Sequence, residues 1–112
     1  MRCQHRKGYL PVQNEVECVS AAGKRHMGIV ASLGCVICRR DLGVRTPPEV
    51  HHVAEGSGVR SDFMTAGLCT EHHRGKSGLH GLGLKAFLML YRLASEFHLL
   101  ELVNKFRAED GI

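Results

Sequence analysis

Two short metal-binding motifs constrain the fold of this chain more than any other feature of its sequence. Cys35 and Cys38 form a Cys-x-x-Cys pair, and Cys69 and His72 form a Cys-x-x-His pair further along the chain. Zinc in closed structural sites is held by four such ligands in a tetrahedron. Three buried thiols beside a surface histidine are the alternative, but paired spacing of this kind seldom arises by chance. The two motifs therefore predict one structural zinc that joins these two distant segments.

The size and the cysteine content of the chain fit a metal-dependent fold. Its 112 residues amount to one domain, and small domains often need a metal or another cross-link to be stable. The sequence shows no secretory signal and no apolar run of membrane-spanning length, so a cytoplasmic protein is expected. Five cysteines in that compartment favour metal-bound or free thiols over disulfides. Cys3 and Cys18 lack a partner at chelating spacing and are expected to be bystanders.

The charge of the chain is compatible with a nucleic-acid partner but does not require one. The formal net charge is +4 at pH 7, which is only mildly basic. Aromatic residues make up 5% of the chain and tryptophan is absent, so stacking of bases on aromatic side chains is not an expected binding mode.

Apolar periodicity and turn residues predict a single α+β domain over residues 21–112, preceded by an irregular N-terminal arm over residues 1–20. The predicted elements are, in order, a helix over 21–33, a zinc-knuckle turn over 35–38, a strand over 49–54, a partner strand within 63–68, a short helix over 69–74, a Gly-rich turn over 78–83, and two C-terminal helices within 84–109. The last helix, which Ser95 is expected to cap, carries an apolar stripe of Leu99, Leu102, Val103 and Phe106.

Five of the eight histidines lie between residues 51 and 80, interleaved with the predicted zinc ligands. Neighbouring side chains on a strand point to opposite faces, so His51 and His52 cannot both be ordinary ligands of one ion. On a helix His73 is rotated by about 100° from His72 and can face away from the zinc, toward the strand. A strand histidine and a helix histidine would form an open metal site suited to hydrolysis, with the spare imidazole as general base. A second structural zinc is the alternative.

The arrangement of these motifs resembles the HNH nucleases, which have a ββα-metal (His-Me finger) core of two short strands and a helix around one divalent ion. The resemblance covers residues 35–81 and rests on Cys35-x-x-Cys38, His51-His52-Val53 and Leu68-Cys69-x-x-His72-His73. The following segment is similar to the phage recombination-enhancement nucleases, which cut DNA targeted by RecA filaments. The residues that carry this second resemblance are His72-His73-Arg74-Gly75, Leu79-His80-Gly81-Leu82-Gly83 and Lys85-Ala86-Phe87.

The resemblance implies a role for each histidine and a set of partners. His51 and His73 would hold a catalytic Mg²⁺ or Mn²⁺, a position that zinc can also occupy, and His52 would be the general base. His80 would be a third ligand or a phosphate contact, or simply a turn residue. DNA would be the substrate and the RecA filament a further partner, in a bacterial or phage-infected cell. The structural zinc would be held by Cys35, Cys38, Cys69 and His72.

One position departs from the family pattern. HNH nucleases carry an asparagine between the strand and the cysteine of the following helix, here Cys69, and no asparagine is present there, near Met64. Asp62 and Thr65 are the residues that could replace it in orienting the base.

Two further assignments stay open between alternatives. Arg60, Arg74 and Lys76 would contact DNA phosphates, or else are solvated surface charges. At the level of the whole chain, the competing interpretation is a non-catalytic zinc module that binds nucleic acid or protein. Such a module would leave His51, His52 and His73 without a task.

Overall fold

The computed structural model describes residues 20–53 and 60–112, which form a small α+β fold with one two-stranded sheet. The predicted N-terminal arm lies outside these residues, except for Ser20. The elements are α1 (Ala21–Ser32), α2 (Val36–Leu42), β1 (Glu49–His52), β2 (Thr65–Leu68), α3 (Thr70–Arg74), α4 (Leu79–Leu82), α5 (Leu84–Leu90) and α6 (His98–Asp110).

Helix α1 begins at a side-chain cap that the sequence prediction had placed in the N-terminal arm. The Ser20 hydroxyl oxygen accepts a hydrogen bond from the Gly23 amide at 3.0 Å, which satisfies one of the unpaired donors of the first turn. The helix stops before Gly34, whose φ of 83° favours glycine. A Cβ atom at Gly34 would also lie 3.0 Å from the Arg45 Cα atom. The predicted helix end is therefore confirmed, and Gly34 delivers the chain directly to Cys35.

The predicted zinc-knuckle turn is the first turn of a helix. Cys35 is the N-cap of α2, and its sulfur accepts from the Cys38 amide at 3.5 Å. The prediction of a plain turn is wrong in this respect, because residues after Cys38 continue as helix to Leu42. The helix then ends at Gly43, whose φ of 70° is left-handed.

Strands β1 and β2 pair antiparallel, with His51 opposite Ala66 and His52 opposite Thr65. Both strands are four residues long and lie inside the predicted ranges, although the predicted last residue of the first strand falls outside the described residues. All four residues of β2 are buried, and the strand packs against α1 and α6. Strand β2 therefore anchors the sheet in the core. Strand β1 carries the two neighbouring histidines, His51 and His52.

The predicted Gly-rich turn over residues 78–83 contains one helical turn, α4, and that prediction is wrong for its central residues. Leu79 is buried and fixes α4 to the core. Gly81 lies so close to α3 that an added Cβ would approach the Gly75 carbonyl oxygen to 2.0 Å. Glycine serves here for close packing of α4 against the end of α3 rather than for breaking the chain.

The C-terminal helices enclose the core as predicted, but the cap of the last one differs. Helix α6 begins at His98, and the Ser95 hydroxyl accepts from the Phe97 amide at 3.2 Å, within the turn that precedes the helix. The predicted cap is therefore wrong, whereas the apolar stripe from Leu99 to Phe106 is buried. Among the described residues, no helix is both long enough and apolar enough to cross a membrane.

Candidate functional site

The four predicted zinc ligands come together between the first turns of α2 and α3. Their ligand atoms all lie within 4.8 Å of one another. The His72 Nδ1 atom lies 3.2 Å from the Cys69 sulfur, 3.4 Å from the Cys35 sulfur and 3.5 Å from the Cys38 sulfur. The Cys38 and Cys69 sulfurs are 3.9 Å apart. A Zn–S distance of about 2.3 Å places two sulfurs of a tetrahedron about 3.8 Å apart, so the cluster is compatible with zinc.

The electrostatic setting of this tetrad suits a metal rather than free thiolates. Burial raises the pKa of the Cys35 thiol to about 12, so zinc must displace a proton when it binds. Burial also lowers the pKa of His72, which favours the neutral imidazole that ligates metal. The His72 ring lies edge-on to the ring of Tyr91 at 5.1 Å, and the Tyr91 hydroxyl donates to the Ser77 carbonyl at 2.7 Å. Tyr91, the residue that follows α5, thereby supports the orientation of the histidine ligand.

A second cluster consists of His51 from β1, His73 from α3 and His80 from α4. Their ligand atoms also lie within 4.8 Å of one another, and the ring centroids are 4.8 to 5.7 Å apart. As predicted, His73 faces away from the tetrad and toward β1. Around a tetrahedral ion, nitrogen ligands lie about 3.3 Å apart, so the three rings would draw slightly together to share one ion. Three imidazoles form a donor set that suits zinc, whereas magnesium and manganese prefer oxygen ligands.

Two carboxylates hold the rings of this cluster. His51 Nε2 lies 2.6 Å from Glu96 Oε2, and His73 Nδ1 lies 2.8 Å from Glu49 Oε1. A carboxylate only accepts, so each imidazole uses one N–H here and keeps its other nitrogen for an ion. Burial lowers the pKa of His51, against the opposing effect of the hydrogen bond to Glu96. No sequence pattern marks Glu96 as a partner of His51, because an acidic residue near the start of a helix is common without any such role.

His52 lies beside the cluster with both of its ring nitrogens engaged. Its Nε2 atom is 2.9 Å from Asp62 Oδ1, and its Nδ1 atom is 3.1 Å from Arg60 Nη2. Asp62 is one of the two residues predicted to replace the missing asparagine. The other, Thr65, donates its hydroxyl to the Asp62 carbonyl at 3.0 Å.

The histidines of the second cluster open onto a cleft of about 420 Å³. A cleft of this size has room for a hydrated ion together with a phosphate group. Both His51 and His52 reach it, although they are neighbours on one strand. The cleft is lined by Val50, His51, His52, Arg60, His73 and His80.

The three predicted phosphate contacts lie in different settings. Arg60 lines the cleft and is exposed. Arg74 is paired with Glu49, with Nε 3.0 Å from Oε1, and together with His73 it lowers the pKa of Glu49 to about 2. Lys76 is exposed on the turn after α3 and lies outside the cleft lining, as far as the described residues define it. Arg60 is therefore the cation best placed to meet an anion in the cleft.

Comparison with known protein families gives a match that covers most of the chain. A family model described as recombination enhancement, RecA-dependent nuclease matches residues 19–99, which is more than two thirds of the chain. The matched range contains both metal-ligand clusters, His52 and the carboxylates that hold the histidines. Neither the curated proteins nor the solved structures give a match.

Proposed function

The chain belongs to the recombination-enhancement, RecA-dependent nuclease family, and we propose that it is a metal-dependent DNA endonuclease of the HNH type. Family membership makes it a nuclease with a role in recombination, and DNA its substrate. The observation that carries the finer proposal is the cleft in which three clustered histidines lie beside His52. It is supported by the order β1, β2 and α3, which matches the two strands and one helix of a ββα-metal core.

The two metal sites would have different tasks. A zinc held by Cys35, Cys38, Cys69 and His72 would join α2 to α3 and fix the segment that carries His73. An ion held by His51, His73 and His80 would supply positive charge to a phosphate oxygen and to the leaving 3′ oxygen. The imidazole donor set of the second site fits zinc best, and Mg²⁺ or Mn²⁺ there would need water and phosphate oxygens to complete its coordination.

His52 would act as the general base of the reaction. Its Nδ1 atom would accept a proton from the attacking water while its Nε2–H stays bonded to Asp62. Arg60 Nη2 lies 3.1 Å from this Nδ1 atom and must move away before a water can approach it. A DNA phosphate offers the guanidinium a stronger charge-assisted partner than a neutral imidazole does. Arg60 would therefore turn from the base to the substrate when DNA enters the cleft.

The family description also suggests a requirement for RecA. We propose that the RecA filament presents DNA to the cleft rather than completing the site. Both metal-ligand clusters, the base and its partners are all supplied by this chain, within the described residues.

Substitution of the base tests the proposed function. His52→Ala is expected to reduce nicking of DNA by about 10²- to 10⁴-fold, the usual contribution of a general base. Nicking is measured on supercoiled plasmid and on RecA-coated single strands paired with duplex, each with Mg²⁺ or Mn²⁺. Zinc content, thermal stability and DNA affinity should stay unchanged.

His26→Ala is the matched control, because His26 lies on α1 against Phe63 and does not line the cleft. It should cut like the wild type. If the wild-type protein nicks no DNA with either ion, with or without RecA, the endonuclease proposal is wrong. Binding of DNA without cleavage would then favour the non-catalytic zinc module.

A further inference from the structure

We propose that Asp62 is the positioning residue that keeps the proton of His52 on Nε2 and thereby makes Nδ1 the basic atom. The inference rests on the proposed nuclease function and assigns the task of the asparagine that this chain lacks. Asp62 would act only through His52 and would touch neither substrate nor ion.

The hydrogen bonds around His52 determine which nitrogen carries the proton. Arg60 lies 3.1 Å from Nδ1, and a guanidinium can only donate, so Nδ1 must accept and is unprotonated. Nε2 therefore carries the hydrogen and donates it to Asp62 Oδ1 at 2.9 Å. In hydrolytic triads, an aspartate accepts the hydrogen of one ring nitrogen of the histidine base and so leaves the lone pair on the other nitrogen. Asp62 and His52 have the same arrangement.

Asp62 is itself held in place from two directions. Thr65, which is fully buried and lies opposite His52 in the sheet, donates its hydroxyl to the Asp62 carbonyl at 3.0 Å. On the other side the Asp62 side chain lies against the first turn of α1. A Cβ atom on Gly23 would come within 3.0 Å of Asp62 Oδ2 and 3.1 Å of Asp62 Cβ.

This placement also suits the charge of Asp62. The first turn of a 12-residue helix carries partial positive charge, which favours a carboxylate beside it. The two candidate replacements for the asparagine thus act in series. Thr65 fixes the backbone of Asp62, and Asp62 fixes the ring of His52.

A structural role for Asp62, limited to the turn before β2, predicts different results from a positioning role. A residue that only stabilises the turn would affect activity whether or not His52 is present. A residue that acts through His52 would have no effect once His52 is removed, because the interaction is then already lost. The kinetic experiment therefore compares the wild type, Asp62→Leu, His52→Ala and the double variant.

Asp62→Leu is close in size to the wild-type side chain and removes the acceptor of the Nε2 proton, so the ring of His52 can take the other tautomer. The value of kcat for DNA nicking should fall by about 10²- to 10⁴-fold, the usual contribution of a general base, with KM within about twofold. The double variant should be no slower than His52→Ala. Glu101→Gln, an exposed carboxylate on α6, is the matched control and should leave kcat unchanged. Wild-type kcat in Asp62→Leu, or a further loss in the double variant, would overturn the inference while leaving the nuclease proposal intact.

A spectroscopic arm tests the tautomer without any cleavage. Long-range ¹H–¹⁵N spectra of the zinc-loaded protein distinguish the two neutral forms of His52. In Arg60→Ala, where only Asp62 holds the ring, Nε2 should remain protonated. In the Arg60→Ala/Asp62→Leu variant, the proton should be shared between Nε2 and Nδ1. A mixed tautomer in Arg60→Ala alone would overturn the inference, and a wild type that cuts no DNA would overturn it together with the proposed function.

Discussion

His51 and His52 are neighbours on β1, yet their partners give them different chemistry. His51 is buried, donates to Glu96 and keeps one nitrogen toward two other imidazoles. His52 is half-buried and lies between Asp62 and Arg60. The alternation of side chains along a strand predicts that the two histidines differ. The tertiary partners then determine which of them is suited to hold an ion and which to move a proton.

At the scale of single residues, a substitution of Glu96 tests how His51 is oriented. Glu96→Gln can turn its amide N–H toward His51 and compete with the bond that orients the ring. Loss of such an outer partner typically weakens metal binding by about 10- to 100-fold. Titration with Mn²⁺ should therefore show weaker binding at the second site, while the tetrad keeps its zinc. Glu101→Gln is the control, and an unchanged Mn²⁺ affinity in Glu96→Gln would show that His51 needs no support from Glu96.

At the scale of elements, local patterns account for most of the fold. The apolar stripe of α6, the glycine that ends α1 and both strands lie where periodicity and turn residues predict them. The same patterns misplace α4, because a glycine selected for close packing looks identical in sequence to one that breaks a chain. Glu96 lies outside the reach of such patterns, since its contact with His51 spans 45 positions along the chain.

Helix α4 provides the prediction for this scale. A Cβ atom at Gly81 would lie 2.0 Å from the Gly75 carbonyl oxygen, so Gly81→Ala must displace α4 and with it His80. We expect lower thermal stability and weaker Mn²⁺ binding at the second site. Gly28→Ala on α1 meets nothing within 4 Å and should stabilise the protein by about 0.5–1 kcal/mol, because alanine favours helix. Equal stability of the two variants in thermal unfolding would contradict the packing role of Gly81.

In the molecule as a whole, two cross-links tie α2 to distant parts of the chain. The Cys/His tetrad joins α2 to α3, and Asp110 at the end of α6 pairs with Arg39 at 2.6 Å and Arg45 at 2.7 Å. Arg39 also lies over the ring of Phe106, 4.5 Å from its centroid. The zinc proposed for the tetrad would therefore anchor one end of α2, and the ion-pair cluster anchors the region beyond it.

The dependence of the fold on the proposed structural zinc can be tested directly. Structural zinc contributes about 10–16 kcal/mol in small zinc-finger peptides, which exceeds the net stability of most domains of this size. Cys69→Ser should therefore lose its zinc and its cooperative thermal unfolding. Cys18→Ser should keep both, because Cys18 is expected to be a bystander. Zinc content by elemental analysis and unfolding by circular dichroism measure the two effects. A Cys69→Ser variant that still unfolds cooperatively would contradict a structural role for the tetrad.

The ion-pair cluster predicts a pH dependence. Arg45 and Arg39 hold the pKa of Asp110 well below its usual range. A carboxyl whose pKa is lowered by folding stabilises the folded state above its unfolded pKa, about 3.9, and this stabilisation is lost as the pH falls toward the folded value. Asp110→Asn should therefore melt at a lower temperature than the wild type, by a constant margin from pH 7 to about pH 5 that narrows below about pH 4.

The quantity to follow is the difference in melting temperature between the wild type and Asp110→Asn, because acid would also release the proposed zinc from both proteins. Glu109→Gln is the matched control. Glu109 directly precedes Asp110 on α6, its side chain is half exposed, and its carboxylate lies 3.6 Å from Arg39. It should melt close to the wild type at every pH, because exposed ion pairs contribute little. A margin for Asp110→Asn that stays the same down to pH 3 would mean that Asp110 stabilises α6 by packing or hydrogen bonding rather than through its charge.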